Sequence, residues 1–189
     1  MQGARALVDV LRESGVEHIF GLPGDTGMAF YEALNDSRSA ITHVMTRDER
    51  SASFMADVYA RVSGRIGICE GPSGGGATYI LPGVAEAQGS AIPMLCLTSD
   101  TPVNQAGRGV LTELDQEALF RPVTKWNTRV SSSATMAEIA RRALRMRHPA
   151  PQHRAIVDVE DHAGAGALRE VDRACRRRGC CPRTGACPR

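Results

Sequence analysis

A cluster of four charged residues, Arg47-Asp48-Glu49-Arg50, follows directly after the strand-like segment Val44-Met45-Thr46. The spacing of apolar residues then predicts a helix over 49–62. Acidic residues in a first helical turn interact favourably with the helix dipole, so Asp48 and Glu49 could both be structural. A carboxylate where a strand meets a helix can also exchange a proton with a bound ligand. Glu49 is therefore a candidate for chemistry.

Two glycine-rich segments could accompany such a carboxylate. The first, at 21–27, reads GLPGDTG and lacks the second glycine of a dinucleotide-binding loop. The second, at 71–78, reads GPSGGGAT and has Ala77 where a phosphate-binding loop has lysine. Neither segment predicts a nucleotide site. Taken singly, each would be read as a tight strand-to-helix turn.

The hydrophobic pattern predicts the elements that position these residues. Strand-like and helix-like segments alternate from residue 3 to residue 160, which predicts an α/β fold with a parallel sheet of about six strands and helices on both faces. The predicted strands are 16–20, 41–45, 66–69, 93–98, 124–130 and 154–159, and the predicted helices are 4–14, 26–35, 49–62, 76–88, 114–120 and 134–147. Ligands of such folds bind at the carboxyl ends of the strands. Both glycine-rich loops and Glu49 should therefore share one edge of the sheet.

Charge divides the chain into two regions. Residues 1–162 carry a net charge of −3, which does not favour a nucleic-acid-binding surface. We predict that they form one domain. No apolar segment reaches the roughly 18 residues of a membrane-spanning helix, and charges interrupt the N-terminal segment where a signal peptide would be apolar. We therefore expect a cytoplasmic protein without membrane or nucleic-acid partners.

Residues 163–189 are basic, with a net charge of +5, and contain four cysteines. The cysteines lack the paired CxxC or Cys/His spacing of a zinc site, so we expect no metal there. The segment is predicted to be a disordered basic tail. Its final stretch, ACRRRGCCPRTGACPR, is also typical of GC-rich DNA translated out of frame.

Four ordered motifs resemble one family. GVEHIFGLPG (15–24), RDERSASFMADVYARVSGRIGIC (47–69), SGGGAT (73–78) and RPVTKWNTRV (121–130) resemble the N-terminal, pyrimidine-binding domain of thiamine diphosphate enzymes. The most similar branch contains acetolactate synthase, pyruvate oxidase and benzoylformate decarboxylase. The resemblance extends over about residues 3–162, and it implies the thiamine diphosphate-binding fold of the pyrimidine domain.

The resemblance implies roles for five residues. In this family a glutamate before the helix hydrogen-bonds a ring nitrogen of the cofactor's aminopyrimidine and favours its imino tautomer, which serves as the base. The matching residue is Glu49, while Arg47, Asp48 and Arg50 would be solvated or structural. Pro23 and Gly24 match the loop near the aminopyrimidine. Ser73 and Gly76 match a second loop near the cofactor and the subunit interface.

Three positions depart from the family pattern. Pro72 stands where Thr or Ala is usual, Tyr79 where Asn is frequent, and Thr112 where Gln or His is usual. Thr112 can still donate a hydrogen bond, with a shorter reach. These changes concern the details of cofactor contact.

The family's other domains supply the rest of the site. The diphosphate-binding domain holds Mg²⁺ through Gly-Asp-Gly, whereas the one Gly-Asp here, Gly24-Asp25, is followed by Thr26. The central domain, which binds FAD in some members, has no counterpart in the sequence. We expect a truncated acetolactate synthase-like enzyme, inactive alone, whose complete form acts on a 2-keto acid as a homodimer. A split decarboxylase with a separate diphosphate-domain chain and a non-catalytic partner-binding domain remain alternatives.

Overall fold

A computed structural model describes residues 3–36, 41–146 and 155–159 of the 189-residue chain. The helices are α1 (Gly3–Glu13), α2 (Met28–Asp36), α3 (Glu49–Ser63), α4 (Gly75–Gly89), α5 (Gln116–Phe120) and α6 (Met136–Arg145). The strands are β1 (His18–Gly21), β2 (Thr42–Met45), β3 (Gly67–Gly71), β4 (Met94–Ser99), β5 (Trp126–Val130) and β6 (Ala155–Val159). Short 3₁₀ turns at Asp25–Gly27, Val103–Gln105 and Arg121–Val123 join some of them.

The six strands form one sheet in the order β2-β1-β3-β4-β6-β5, and every pairing is parallel. Gly21 is opposite Met45 on one side and Glu70 on the other. The carboxyl ends of β1, β2 and β3 therefore lie side by side. The loops that leave these ends are the two glycine-rich loops and the segment that carries Glu49, which confirms the predicted common edge.

Side chains of successive strand residues enter two separate cores, because side chains alternate across a sheet. Ile19, Ile68 and Leu95 pack with α1, α2 and α6 on one face. Phe20 and Cys69 pack with α3, α4 and α5 on the other face. Burial on both faces explains why the central strands are apolar without alternation.

Local signals set the ends of α3 and its fit against α4. The Asp48 side chain accepts a hydrogen bond from the Ser51 backbone N–H, which caps the first turn. Gly64 ends the helix at φ 68°, a conformation that favours glycine. Gly83 of α4 allows α3 and α4 to pack closely together. A side chain at this position would not fit, because its Cβ would lie 2.7 Å from the Ser53 Cβ.

The predicted α/β class, with about six parallel strands and helices on both faces, is confirmed. Most predicted boundaries differ from the structure by one or two residues, and one of these differences matters for the site. β3 continues to Gly71 rather than ending at Cys69, so Glu70 is a strand residue whose side chain is buried. No helix in the described ranges is long and apolar enough to cross a membrane. The predicted boundary at 162 and the basic tail lie outside those ranges.

Candidate functional site

Asp48 and Glu49 are neighbours in different environments. Asp48 is the N-cap of α3, and its two carboxylate oxygens accept from the Ser51 N–H at 2.8 Å and the Ser51 hydroxyl at 3.1 Å. The backbone hydrogen bond from Ser51 is the main reason that the pKa of Asp48 is lowered. Arg47 and Arg50 are exposed. Glu49 is only 8% exposed. Of the two neighbouring acidic residues, Asp48 therefore caps the helix and Glu49 is the buried one.

Glycines line the space beside the Glu49 side chain. A Cβ built on Gly71 would lie 3.4 Å from Glu49 Cγ, and a Cβ on Gly76 would lie 3.1 Å from Glu49 Oε1. The same Cβ on Gly76 would lie 2.5 Å from Pro72 Cγ, a distance that real Cβ atoms do not tolerate. Any other residue at position 76 would therefore displace Pro72 and crowd the carboxylate.

The loop between β1 and α2 closes against the second glycine-rich loop. Gly24 faces Pro72, and a Cβ on Gly24 would lie 2.8 Å from Pro72 Cγ. Pro23 is exposed beside it. The structure thus brings Pro23, Gly24, Gly76 and Glu49 to one place, as the sequence predicted. Pro72 fills the gap between the loops, which gives the unusual residue a packing role.

Ser73 connects three loops. Its backbone N–H donates to Thr26 Oγ1 at 3.1 Å, and its hydroxyl donates to Thr112 Oγ1 at 2.7 Å. Thr26 Oγ1 is also 2.9 Å from Ser99 Oγ, at the end of β4. Ser73 is 3% exposed and therefore holds the loops together rather than offering its hydroxyl to solvent. Thr112 was expected to donate a hydrogen bond, whereas in the structure its hydroxyl oxygen accepts one from Ser73.

No hydrogen bond or ion pair to the Glu49 carboxylate is formed within residues 3–36, 41–146 and 155–159. The Glu49 oxygens are not among the fully buried polar atoms that lack a partner, so the carboxylate keeps access to solvent and can accept a hydrogen bond from a ligand. The same ranges contain no group of three or more His, Cys, Asp or Glu side chains that could hold a metal ion.

These features define a class of protein. A parallel α/β sheet places Glu49, a buried residue whose carboxylate has no partner within the described ranges, beside two glycines at one carboxyl edge. Gly71 and Gly76 let the neighbouring loops pack closely around the Glu49 side chain, and Glu49 offers a bound ring a hydrogen-bonding partner. The residues present therefore fit the aminopyrimidine of thiamine diphosphate.

Comparisons with known proteins also point to thiamine diphosphate enzymes. A family model described as "Thiamine pyrophosphate enzyme, N-terminal TPP binding domain" matches residues 1–119. The chain is 38% identical over 156 residues to a probable acetolactate synthase large subunit of Methanococcus aeolicus, covering 81% of this chain and 26% of that protein. It is 32% identical over 166 residues to an acetolactate synthase large subunit of Parasynechococcus marenigrum, covering 87% of this chain and 27% of that protein.

The description of a third relative names the cofactor but no specific enzyme. It is a putative thiamine pyrophosphate-containing protein of Bacillus subtilis, 30% identical over 141 residues, covering 75% of this chain and 25% of that protein. The chain belongs to the thiamine pyrophosphate enzyme family as an N-terminal, cofactor-binding domain of the acetolactate synthase-like type. It spans about a quarter of the length of the curated relatives it matches.

Sequence reasoning missed the residues that support the site. Thr26 and Ser99 join loops that are 73 residues apart. Tyr31, His43 and the buried Glu70 form a partly buried polar cluster beneath the same edge. One signal was available. A glutamate that directly follows the apolar segment Ile66-Gly67-Ile68-Cys69 is unusual for a buried strand, and Glu70 could have been marked on that ground.

Proposed function

We propose that this chain forms the aminopyrimidine-binding half of a thiamine diphosphate site in an acetolactate synthase-like enzyme. The complete enzyme would decarboxylate a 2-keto acid and transfer the two-carbon unit to an acceptor. The observation that carries the proposal is Glu49, a residue 8% exposed whose carboxylate lacks a hydrogen-bond partner in the described part of the chain and lies against two glycines.

In this proposal each residue has a limited task. When bound, thiamine diphosphate would supply an acidic thiazolium carbon and, in its imino tautomer, a base. Glu49 would hold a proton at the pyrimidine ring nitrogen and thereby favour that tautomer. Gly76 would let Pro72 and the Glu49 carboxylate pack closely beside the ring, and Pro23 and Gly24 would cover it. Ser73 keeps both loops at a fixed separation through its hydrogen bonds to Thr26 and Thr112.

The rest of the site would come from polypeptide outside this sequence. α3 presents an apolar stripe to solvent, with Phe54, Val58 and Val62 at successive turns and Met55 beside them. Exposed apolar patches of this kind mark protein interfaces. We assign the stripe to the domain that binds the diphosphate, Mg²⁺ and, in some relatives, FAD, whether in a homodimer or on a partner chain. The expected location is the cytoplasm.

The same stripe supports a second candidate function. A domain that only docks on a partner would need the apolar face of α3 but not the Glu49 carboxylate. The two functions therefore differ in what happens when Glu49 is changed, because a docking domain would tolerate Glu49→Gln without loss of its activity in the complex.

A segment exchange tests the proposal. The matching 156-residue region of the Methanococcus aeolicus relative would be replaced by that of this chain, and turnover of pyruvate measured with and without Glu49→Gln. We expect turnover to fall at least about a hundredfold in the variant, the scale of losing a proton-exchanging group. The near-ultraviolet circular dichroism of the bound pyrimidine should lose its imino band as well. Equal turnover in the variant would remove Glu49 from the mechanism, and Glu32→Gln, which alters an exposed carboxylate on α2, serves as the matched control.

A further inference from the structure

Tyr31, His43 and Glu70 form a compact polar cluster on the face of the sheet opposite Glu49. The Tyr31 hydroxyl donates to Glu70 Oε1 and lies 3.1 Å from His43 Nε2, which is itself 3.4 Å from the same glutamate oxygen. The Tyr31 and His43 rings meet edge to face, with centroids 5.0 Å apart. The cluster thus joins α2, β2 and β3 at one point.

Glu70 is 4% exposed, and its surroundings favour its neutral form. Burial raises the pKa of Glu70 to about 8, and burial lowers the pKa of His43. Both directions favour a neutral pair over a charged one at neutral pH. His43 is the one basic group within ion-pair distance of Glu70 in the described ranges.

The elements around Glu70 contribute few other ionisable groups. Its register partners on β1 and β4, Gly21 and Leu97, cannot ionise. α2 contributes Tyr31 at the cluster, while the carboxylates of α2 and of the 3₁₀ turn before it are exposed; these are Asp25, Glu32 and Asp36. A negative charge on Glu70 would therefore be poorly compensated.

The cluster touches the strand ends that carry the cofactor site. Glu70 lies directly against Gly21, where any Cβ would overlap its carboxyl group. The Gly21 carbonyl accepts from the Thr46 N–H at 2.8 Å, and the Thr46 hydroxyl lies 2.8 Å from the Asp48 carbonyl. The next residue is Glu49. On the other side Glu70 precedes Gly71, whose Cα faces the Glu49 side chain.

We infer that Tyr31, His43 and Glu70 are positioning residues, which hold the ends of β1, β2 and β3 so that Glu49 meets the pyrimidine ring only while Glu70 is uncharged. This inference rests on the proposed function for its consequence, though not for its geometry. Ionisation of Glu70 places a charge against Gly21 and Tyr31. Because the Gly21 carbonyl is bonded to Thr46, and Thr46 to the Asp48 carbonyl, a displacement of Gly21 is transmitted to the first turn of α3.

Nuclear magnetic resonance of the full chain tests the inference. The Glu70 side-chain carbon reports its ionisation, the Thr46 amide reports the strand ends, and titration with the free aminopyrimidine half of thiamine reports the site. We expect one common midpoint for all three as pH rises, with affinity falling about fivefold or more. Glu70→Gln should abolish the change in the amide and in the affinity, and exposed Glu32→Gln should leave both intact.

Each outcome decides a different point. If Glu70 titrates while the Thr46 amide and the affinity stay constant, the positioning role is overturned. If the Thr46 amide follows Glu70 but the pyrimidine binds at no pH, the cluster controls the strand ends and the proposed function fails instead. Should Glu70→Gln not fold, coincidence or divergence of the three midpoints in the unaltered chain decides the matter.

Discussion

Replacing Glu70 with glutamine should make the stability of the protein less sensitive to pH. Glutamine has nearly the same shape and can still accept a hydrogen bond from Tyr31, but it cannot ionise. In the unaltered chain the pKa of Glu70 is raised by burial from 4.5 to about 8. Below pH 4.5 the carboxyl is protonated in both folded and unfolded states, and the full stability is present.

The sign and size follow from proton linkage. As pH rises from 4.5 to 8 the unfolded chain releases the proton and the folded chain keeps it, so the free energy of unfolding falls. The slope approaches about 1.4 kcal/mol per pH unit. Between pH 5 and pH 8 the unaltered chain should therefore lose about 3 to 4 kcal/mol relative to Glu70→Gln. His43 acts in the opposite direction below its ordinary pKa, because burial lowers its pKa. Since His43 contacts Glu70, the comparison is repeated with His43→Gln in both proteins.

Urea unfolding provides the assay, followed by the fluorescence of the single tryptophan, Trp126, at several pH values. The quantity to compare is the difference in free energy of unfolding between the two proteins at each pH. Glu32→Gln, an exposed carboxylate one residue from Tyr31, should show no such trend. A difference that stays constant from pH 5 to pH 8 would refute the reasoning, since Glu70 would then be ionised in the folded protein.

Three further predictions concern the loops and helices of the site. Gly76→Ala should abolish binding of the aminopyrimidine and destabilise the fold by about 1 to 3 kcal/mol, because its Cβ has no room, whereas Gly75→Ala meets nothing within 4 Å and should do neither. Asp48→Ala should lower the urea midpoint through loss of the α3 cap, and Asp48→Asn should restore most of it. Gly83→Ala should destabilise by about 1 to 3 kcal/mol despite the better helix propensity of alanine, with Gly89→Ala as its unobstructed control; a stabilised Gly83→Ala would contradict the packing of α3 on α4.

Most of the fold could be predicted because its signals are local. The apolar spacing of α3, its Asp48 cap and Gly64 lie within one short segment, and the predicted range of 49–62 differs from the structure by one residue. The order of the strands was not predicted, since it depends on pairings between distant segments. The predicted β3 ended two residues early, at Cys69, since Glu70 interrupts the apolar segment and gives no local sign that it is buried.

The site also contains residues that local motifs predict and residues that only long-range contacts bring together. Glu49, Pro23, Gly24, Ser73 and Gly76 could be named because they belong to ordered motifs, and the structure brings them to one edge. The hydrogen bonds of Ser73 to Thr26 and Thr112 join residues 47 and 39 positions apart. Such contacts leave no periodic trace in a single sequence. The polar cluster around Glu70 was missed for the same reason, as its members come from three elements.

The central claim is that Glu49 receives the pyrimidine ring, and the most direct test is binding of the free aminopyrimidine half of thiamine to the full chain. Saturation-transfer resonance should detect contact with the ring protons, in the millimolar affinity range expected of half a site. Glu49→Ala should weaken binding about tenfold or more, the effect of removing a charged hydrogen-bonding group, while Glu32→Ala should not. Equal binding by the unaltered chain and by a folded Glu49→Ala variant would contradict the account.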